Sequence, residues 1–357
     1  MNAGRLRRNN AQVRLAVRMT AGCFIAYGIG LVLGLQQNQW AVLTSIIVMQ
    51  ASVGASLKAM LDRFVGSLGG AIAGVVVSVG LHRAGITSPG IALALGLPPL
   101  TLLPALKPAY RVTPITFIIL ILTPNLQQLG PIVSAYERML EISIGSLVAL
   151  GVSLVVLPAR AHDTLVVAVS QVLTAMADLM TTLPRGLQGQ ANLEAIDAAH
   201  ARIRSGIGKA EVAADEALRE RATHLTDEID PLPICRTLRR LRHDIAILGR
   251  TMMSPLPEPV TAGLILPILD VSDGIAEFLK ATADAFVART PPPHFGELEA
   301  KFAARSEAAT ALRRQGITRS LEDEDLARVF GLGFALEQLR RDLRDLSARG
   351  NEFSNRH

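Results

Sequence analysis

Few ionisable residues interrupt the first 160 positions, and those few are the ones that could do chemistry. Lys58, Asp62 and Arg63 cluster between two apolar stretches, and Glu137, Arg138 and Glu141 stand together at the start of another. Polar side chains fall along the same stretches: Thr44, Gln50 and Ser52 in one, Thr113 and Thr116 in a second. An ionisable group at membrane depth is costly unless paired or used, so its position marks a path for ions or substrate. Arg63, Lys58 and Arg138, with Thr44, Gln50, Ser52 and Thr116, make a donor set for an anion. A carboxylate leaving water needs a compensating cation or aimed donors. Glu141 and Asp62 are the acids placed to carry a proton. Plainer roles compete with these: snorkelling of Arg63 and Arg138 to lipid headgroups, and an i, i+3 pair between Arg138 and Glu141.

The elements that hold these residues follow from charge-free runs. Residues 19–57, 64–82, 84–106, 112–136 and 142–159 contain no Asp, Glu, Lys or Arg. About 20 apolar residues cross a bilayer, and Gln36-Gln37-Asn38-Gln39 divides the longest run. Six spans are expected, at about 12–35, 40–57, 64–82, 88–106, 112–129 and 138–158. On this reading Lys58, Asp62 and Arg63 form a tight charged turn between spans 2 and 3. Met1 to Asn10 is basic, but no small-residue cleavage site closes the run after it, so span 1 reads as retained. Gly66, Gly70 and Gly74 recur at four-residue spacing, a helix-packing seam. Pro98, Pro99, Pro104 and Pro114 predict kinked or broken helices in spans 4 and 5, and breaks are expected at Gln50-Ala51-Ser52-Val53-Gly54 in span 2 and at Thr123-Pro124-Asn125 at the end of span 5.

Orientation follows from Lys and Arg. With the N-terminus inside, ten of these residues (Arg5, Arg7, Arg8, Arg14, Arg18, Lys58, Arg63, Lys107, Arg111 and Arg160) face the cytoplasm and two, Arg83 and Arg138, face out. An even number of spans then returns 161–357 to the cytoplasm. That half has a different character. Residues 1–158 hold 11 Lys+Arg against three acids, a net of +8, whereas 159–357 hold 25 against 28, a net of −3. Apolar residues recur there at three- and four-residue spacing over 162–183, 192–222, 232–253, 259–289, 297–315 and 320–349. Ser320 and Asp323 resemble a capping box opening the last segment. The fold class is therefore all-α: a six-span membrane domain over 1–160 and a cytoplasmic helical bundle over 161–357.

Several functions are excluded by type and spacing. The basic excess sits in the apolar half and only 4% of residues are aromatic, which argues against nucleic acid. Gly206-Ile207-Gly208-Lys209-Ala210 lacks the upstream glycine and the Ser or Thr of a phosphate loop. The seven histidines (82, 162, 200, 224, 243, 294 and 357) never fall at metal-ligand spacing. Cys23 and Cys235 sit in different halves, and no pairing is expected. No catalytic residue, metal or cofactor is expected. The run Arg236, Arg239, Arg240, Arg242, His243 reads as a solvated face paired with acids, with contact to anionic lipid as the other reading.

The string Trp40-x-x-x-Thr44, Gln50-x-Ser52-x-Gly54, Arg63-x-x-Gly66-Ser67-x-x-Gly70 resembles the fusaric acid resistance family, which includes aromatic acid exporters and is related to aluminium-activated malate channels. The segment Glu137 to Ser146, ending in Leu157-Pro158-Ala159-Arg160, and the Arg14/Arg18 approach to span 1 are similar to it too. The family often has Thr where Ser67 stands. The resemblance covers 11–162 and implies secondary export of small organic anions, typically aromatic carboxylates, across the bacterial inner membrane. Family members are often twice this length, so it also implies a homodimer. An anion channel, or a membrane-anchored protein whose bundle binds a partner protein, are the alternatives. Aligning Arg63 with Arg138 pairs Gly70 with Gly145, and Thr44-Ser45-Ile46-Ile47 resembles Thr116-Phe117-Ile118-Ile119. These correspondences predict a three-plus-three inverted repeat. They place an anion site between spans 2 and 5, with Arg63 at its inner mouth and Arg138 at its outer mouth.

Overall fold

The computed structural model describes residues 3–122, 130–158, 160–223, 226, 228–319 and 321–354. Regular structure among the described residues is helical, in twelve α-helices and three short 3-10 turns. The chain divides into two compact units, Met1–Arg160 and Ala161–His357.

The first unit holds α1 (Ala3–Val32), α2 (Gln39–Val48), α3 (Val53–Arg83), α4 (Pro89–Leu106), α5 (Thr113–Leu122) and α6 (Pro131–Val155), with the turn Pro108–Val112 leading into α5. Within this unit α1 from Gln12, α3, α4 and α6 are long and apolar enough to cross a membrane. α2 is apolar but only ten residues long, about 15 Å, roughly half of a hydrocarbon core. The expected second span therefore ends early, and the charged turn at Lys58, Asp62 and Arg63 does not exist. Those three residues lie inside α3, which runs unbroken for 31 residues. The local chemistry explains the correction. The stretch Ser56 to Phe64 has no Gly or Pro and is rich in helix formers. The break falls at Met49–Ser52, overlapping the interruption expected at Gln50–Gly54, and there Ser52 caps α3 by accepting from Ala55 N at 3.1 Å. Backbone freed by the break is satisfied by side chains: Gln50 N donates to Ser56 Oγ at 2.9 Å, and Arg18 Nη2 donates to Ala51 O at 3.0 Å. Irregular backbone inside a membrane domain needs such partners. α4 is one helix that contains Pro98, Pro99 and Pro104, so of the two expected outcomes, kinked or broken, it is not broken. Pro114 is the second residue of α5, where its missing N–H costs nothing. The Thr123-Pro124-Asn125 break lies outside the described residues.

Packing in this unit comes in matched pairs. α1 lies on α2 as α4 lies on α5, and α2 lies on α6 as α5 lies on α3. α3 and α6 pack on each other, antiparallel: early Ser56 meets late Ser153 at 3.4 Å, and later Ala71 shares a cluster with early Ala135. The glycines repeat the pattern in detail. A Cβ on Gly70 would press on Thr113 O and come within 2.8 Å of Thr116 Cβ. One on Gly145 would press on Ala41 O and come within 2.8 Å of Thr44 Cβ. Gly66 sits against Ala109 O and Gly74 against Leu120, so the seam faces α5 and the turn before it.

The second unit holds α7 (Ala161–Thr182), the turn Leu183–Gln188, α8 (Leu193–Ala222), α9 (Leu232–Thr251), α10 (Glu258–Ala288), α11 (Gly296–Arg314) and α12 (Asp323–Ser354). The six helices start and stop within a few residues of the segments expected from periodicity, except that α12 runs on to Ser354. With its following turn, α7 is also long and apolar enough to cross a membrane. Its apolar residues, from Leu165 to Met180, are buried in the unit's own core, against α8 and α10. Gly206-Ile207-Gly208-Lys209 lies inside α8, with Gly206 against Val172, which leaves no loop to hold a phosphate. Arg239 pairs with Glu211 at 2.6 Å and Arg240 with Asp342 at 3.3 Å, the solvated and paired face expected of that run. Ser320 and His224 lie outside the described residues, and α12 opens at Asp323.

Candidate functional site

Three arginines and one glutamate are buried in the first unit: Arg18 at 1% exposure, Arg63 at 6%, Arg138 at 4% and Glu141 at 4%. α3 and α6 supply three of the four, because their antiparallel crossing turns Arg63 and Arg138 inward from either side. Among the described residues the unit's one ion pair joins Arg138 Nη1 to Glu141 Oε2 at 3.2 Å. The Arg138 guanidinium also stacks 3.9 Å from the centre of the Trp40 ring, a favourable contact for a desolvated cation. Trp40 is held in turn by donating its indole N–H to Gln37 Oε1 at 2.8 Å.

Arg63 has no such partner. Its Nε is buried without a hydrogen bond, and it joins no ion pair among the described residues. One turn further along α3, Ser67 accepts from Thr116 Oγ1 at 3.2 Å. The hydroxyls of Thr44, Thr113 and Ser146 are buried and unbonded. Arg138 lies near enough to Arg63 for their charges to repel. The sequence reading sets these two arginines at opposite mouths of the site, and the structure carries them on the two antiparallel helices α3 and α6. Beside Arg138 and Glu141 is a cavity of about 20 Å³, room for about one water.

Not every expected site residue joins this cluster. Lys58 and Gln50 are exposed and Asp62 is half-buried. Gln50 Nε2 turns back to Ile47 O at 2.9 Å, and Ser52 serves as the α3 cap. Thr44, Thr116, Arg63, Arg138 and Glu141 are all buried around the α2–α6 and α3–α5 contacts. Gly66, Gly70 and Gly74 bring α3 against α5. Arg18, Ser67, Ser146 and Trp40 were missed as site residues. Arg18 had a signal, since it stands immediately before the longest charge-free run. Cys23 and Cys235 are free thiols, and no cluster of metal-binding side chains exists among the described residues.

No curated protein matches the chain. A family profile does match, over residues 25–152, and it is described as fusaric acid resistance protein-like. The matched stretch takes in the end of α1, all of α2 to α5 and most of α6, and so carries Arg63, Arg138 and Glu141. This chain is a multi-pass membrane protein whose residues 25–152 are similar to the fusaric acid resistance protein-like family.

Proposed function

We propose that the protein is a secondary exporter or permease for small organic anions, aromatic carboxylates above all. The observation that carries this reading is Arg63, a buried guanidinium with no acid partner among the described residues. An unpaired buried cation costs several kcal/mol, and a bound carboxylate removes that cost. Ser67 and Thr116 stand beside it as hydroxyl donors. Glu141 holds Arg138 in place. Protonating Glu141 would release Arg138 toward the anion, which couples carboxylate binding to proton movement. The water-sized cavity beside Arg138 means that helices must separate to admit an organic acid, which favours a carrier over an open channel.

The same reading puts the first unit in the bacterial inner membrane as six spans, with both termini inside, because ten Lys+Arg fall on that side and two on the other. Crossing 2 is then made by the short α2 and the break after it. The second unit is the cytoplasmic bundle, and two copies of the chain form the working dimer. The matched packing of α1–α3 and α4–α6 supports an inverted repeat with the anion site at its centre.

Export of a panel of organic acids from vesicles, with and without a pH gradient, tests the function. Arg63→Ala should cut export to less than a tenth at matched abundance, with Arg63→Lys between the two. Export by Arg63→Ala equal to wild type removes Arg63 from the mechanism, and the reading fails with it.

A further inference from the structure

The second unit contains a cavity of about 320 Å³ between α10, α11 and α12, in the size range of small-molecule sites. Its wall is apolar, with Val260, Leu264 and Ile268 from one face of α10 opposite Val329, Phe330 and Phe334 of α12. Two cations, Arg305 and Arg313, reach this wall and no acid does. The Arg305 Nε is buried without a hydrogen bond, and Arg305 joins no ion pair among the described residues. Glu337 is the acid whose charge Arg305 feels, but its oxygens are held by Arg340 at 2.6 Å and Arg341 at 3.5 Å. Gly333 lies beside the guanidinium on the same wall, its Cβ position 3.5 Å from Arg305 Nη1. Val260, Leu264, Ile268, Leu312, Leu332 and Leu336 on this wall also belong to the unit's core cluster, so the cavity opens from the core itself.

We propose that this cavity is a ligand site for a small apolar carboxylate, with Arg305 receiving the carboxylate and the α10–α12 wall receiving the hydrocarbon or ring. An apolar chamber selects an apolar body, and an unpaired, partly desolvated guanidinium selects an anionic head. A neutral or cationic molecule of the same shape leaves Arg305 uncompensated. The site lies in the second unit and the Arg63 cluster in the first, so a carboxylate bound here would regulate transport rather than be its cargo. That regulatory role rests on the transport reading above, whereas the site itself does not.

Equilibrium dialysis of radiolabelled benzoate against the full chain in detergent tests the site, with thermal unfolding as a check that each variant folds. Wild type should bind saturably, benzylamine should not compete, and Arg305→Met should weaken binding at least tenfold. Ala309→Phe, which puts a ring into the cavity, should abolish the same component, and Arg63→Ala should leave it intact. If Arg305→Met fails to fold, Ala309→Phe decides. Absence of saturable binding in the Arg63→Ala chain, or binding by that chain that survives Ala309→Phe, overturns the proposal. None of these outcomes bears on export, which the vesicle assay reads separately.

Discussion

Asp244 on α9 and Asp342 on α12 are buried next to one another, at 4% and 7% exposure. Burial pushes the Asp244 carboxyl up, to about 7, and the hydrogen bond and charge of Asp342 push the same way, while Arg240 opposes them. Asp345, the other acid beside Arg240, is hydrogen-bonded by Thr237. The folded value lies above the unfolded one of about 4. Stability from this pair is therefore fully present below pH ~4 and is lost as pH rises through about 7. Asp244→Asn keeps the hydrogen bond without the charge. Its unfolding midpoint should exceed wild type by several degrees at pH 8, and the gain should shrink below pH 5. An equal difference at both pH values would show that the carboxyl is not the cause. Residue identity was readable here only in part. The Arg236 to His243 run reads as a solvated face and is one, but the acid one position beyond it turns inward, which needs the α9–α12 register. Arg63 was legible for the opposite reason, since an arginine beside a charge-free run stands out whatever it touches.

Small residues decide how the helices of the membrane unit meet, and two glycines can be compared directly. Gly70 and Gly145 each face a backbone carbonyl and a threonine Cβ across a helix contact, whereas a Cβ added at Gly28 or Gly151 would meet nothing within 4 Å. In an exposed helix position Gly→Ala stabilises by about 1 kcal/mol, while overpacking a contact costs about 1–3 kcal/mol. Gly70→Ala and Gly145→Ala should therefore both lower the unfolding midpoint in detergent, by similar amounts, and Gly28→Ala and Gly151→Ala should not. A neutral Gly145→Ala would mean that α2 and α6 are not in close contact. Periodicity made the helices legible, and glycine spacing made the α3 seam legible. The interruption of span 2 was legible in Gln50, Ser52 and Gly54, but the partners that satisfy it were not: the Ser52 cap, the Ser56 hydroxyl that accepts from Gln50 N, and the distant donor Arg18.

At the scale of the membrane unit, the sequence offers only four identities in 18 aligned positions around Arg63 and Arg138, too few to carry a repeat among apolar residues. The packing shows a matching pattern of contacts. The contact of α5 with α3 through Thr113, Thr116 and Gly70 has its counterpart in α2 with α6 through Ala41, Thr44 and Gly145. The residue offset is 75 from Gly70 to Gly145 and 72 from Thr44 to Thr116, so both correspondences noticed in the sequence fall on one structural contact. α3 and α6 run antiparallel, as a three-helix unit and its copy of opposite orientation must. The consequence is a prediction about sides of the membrane. Position 133 lies 75 residues beyond Lys58, and both Lys58 and Val133 are exposed. In a background with Cys23 and Cys235 replaced by Ser, Lys58→Cys should react with a membrane-impermeant maleimide from the cytoplasmic face alone. Val133→Cys should react from the outer face alone. Reaction of both from one side would mean that the halves share an orientation, and would overturn the inverted repeat proposed above, with the Arg63–Arg138 site that rests on it.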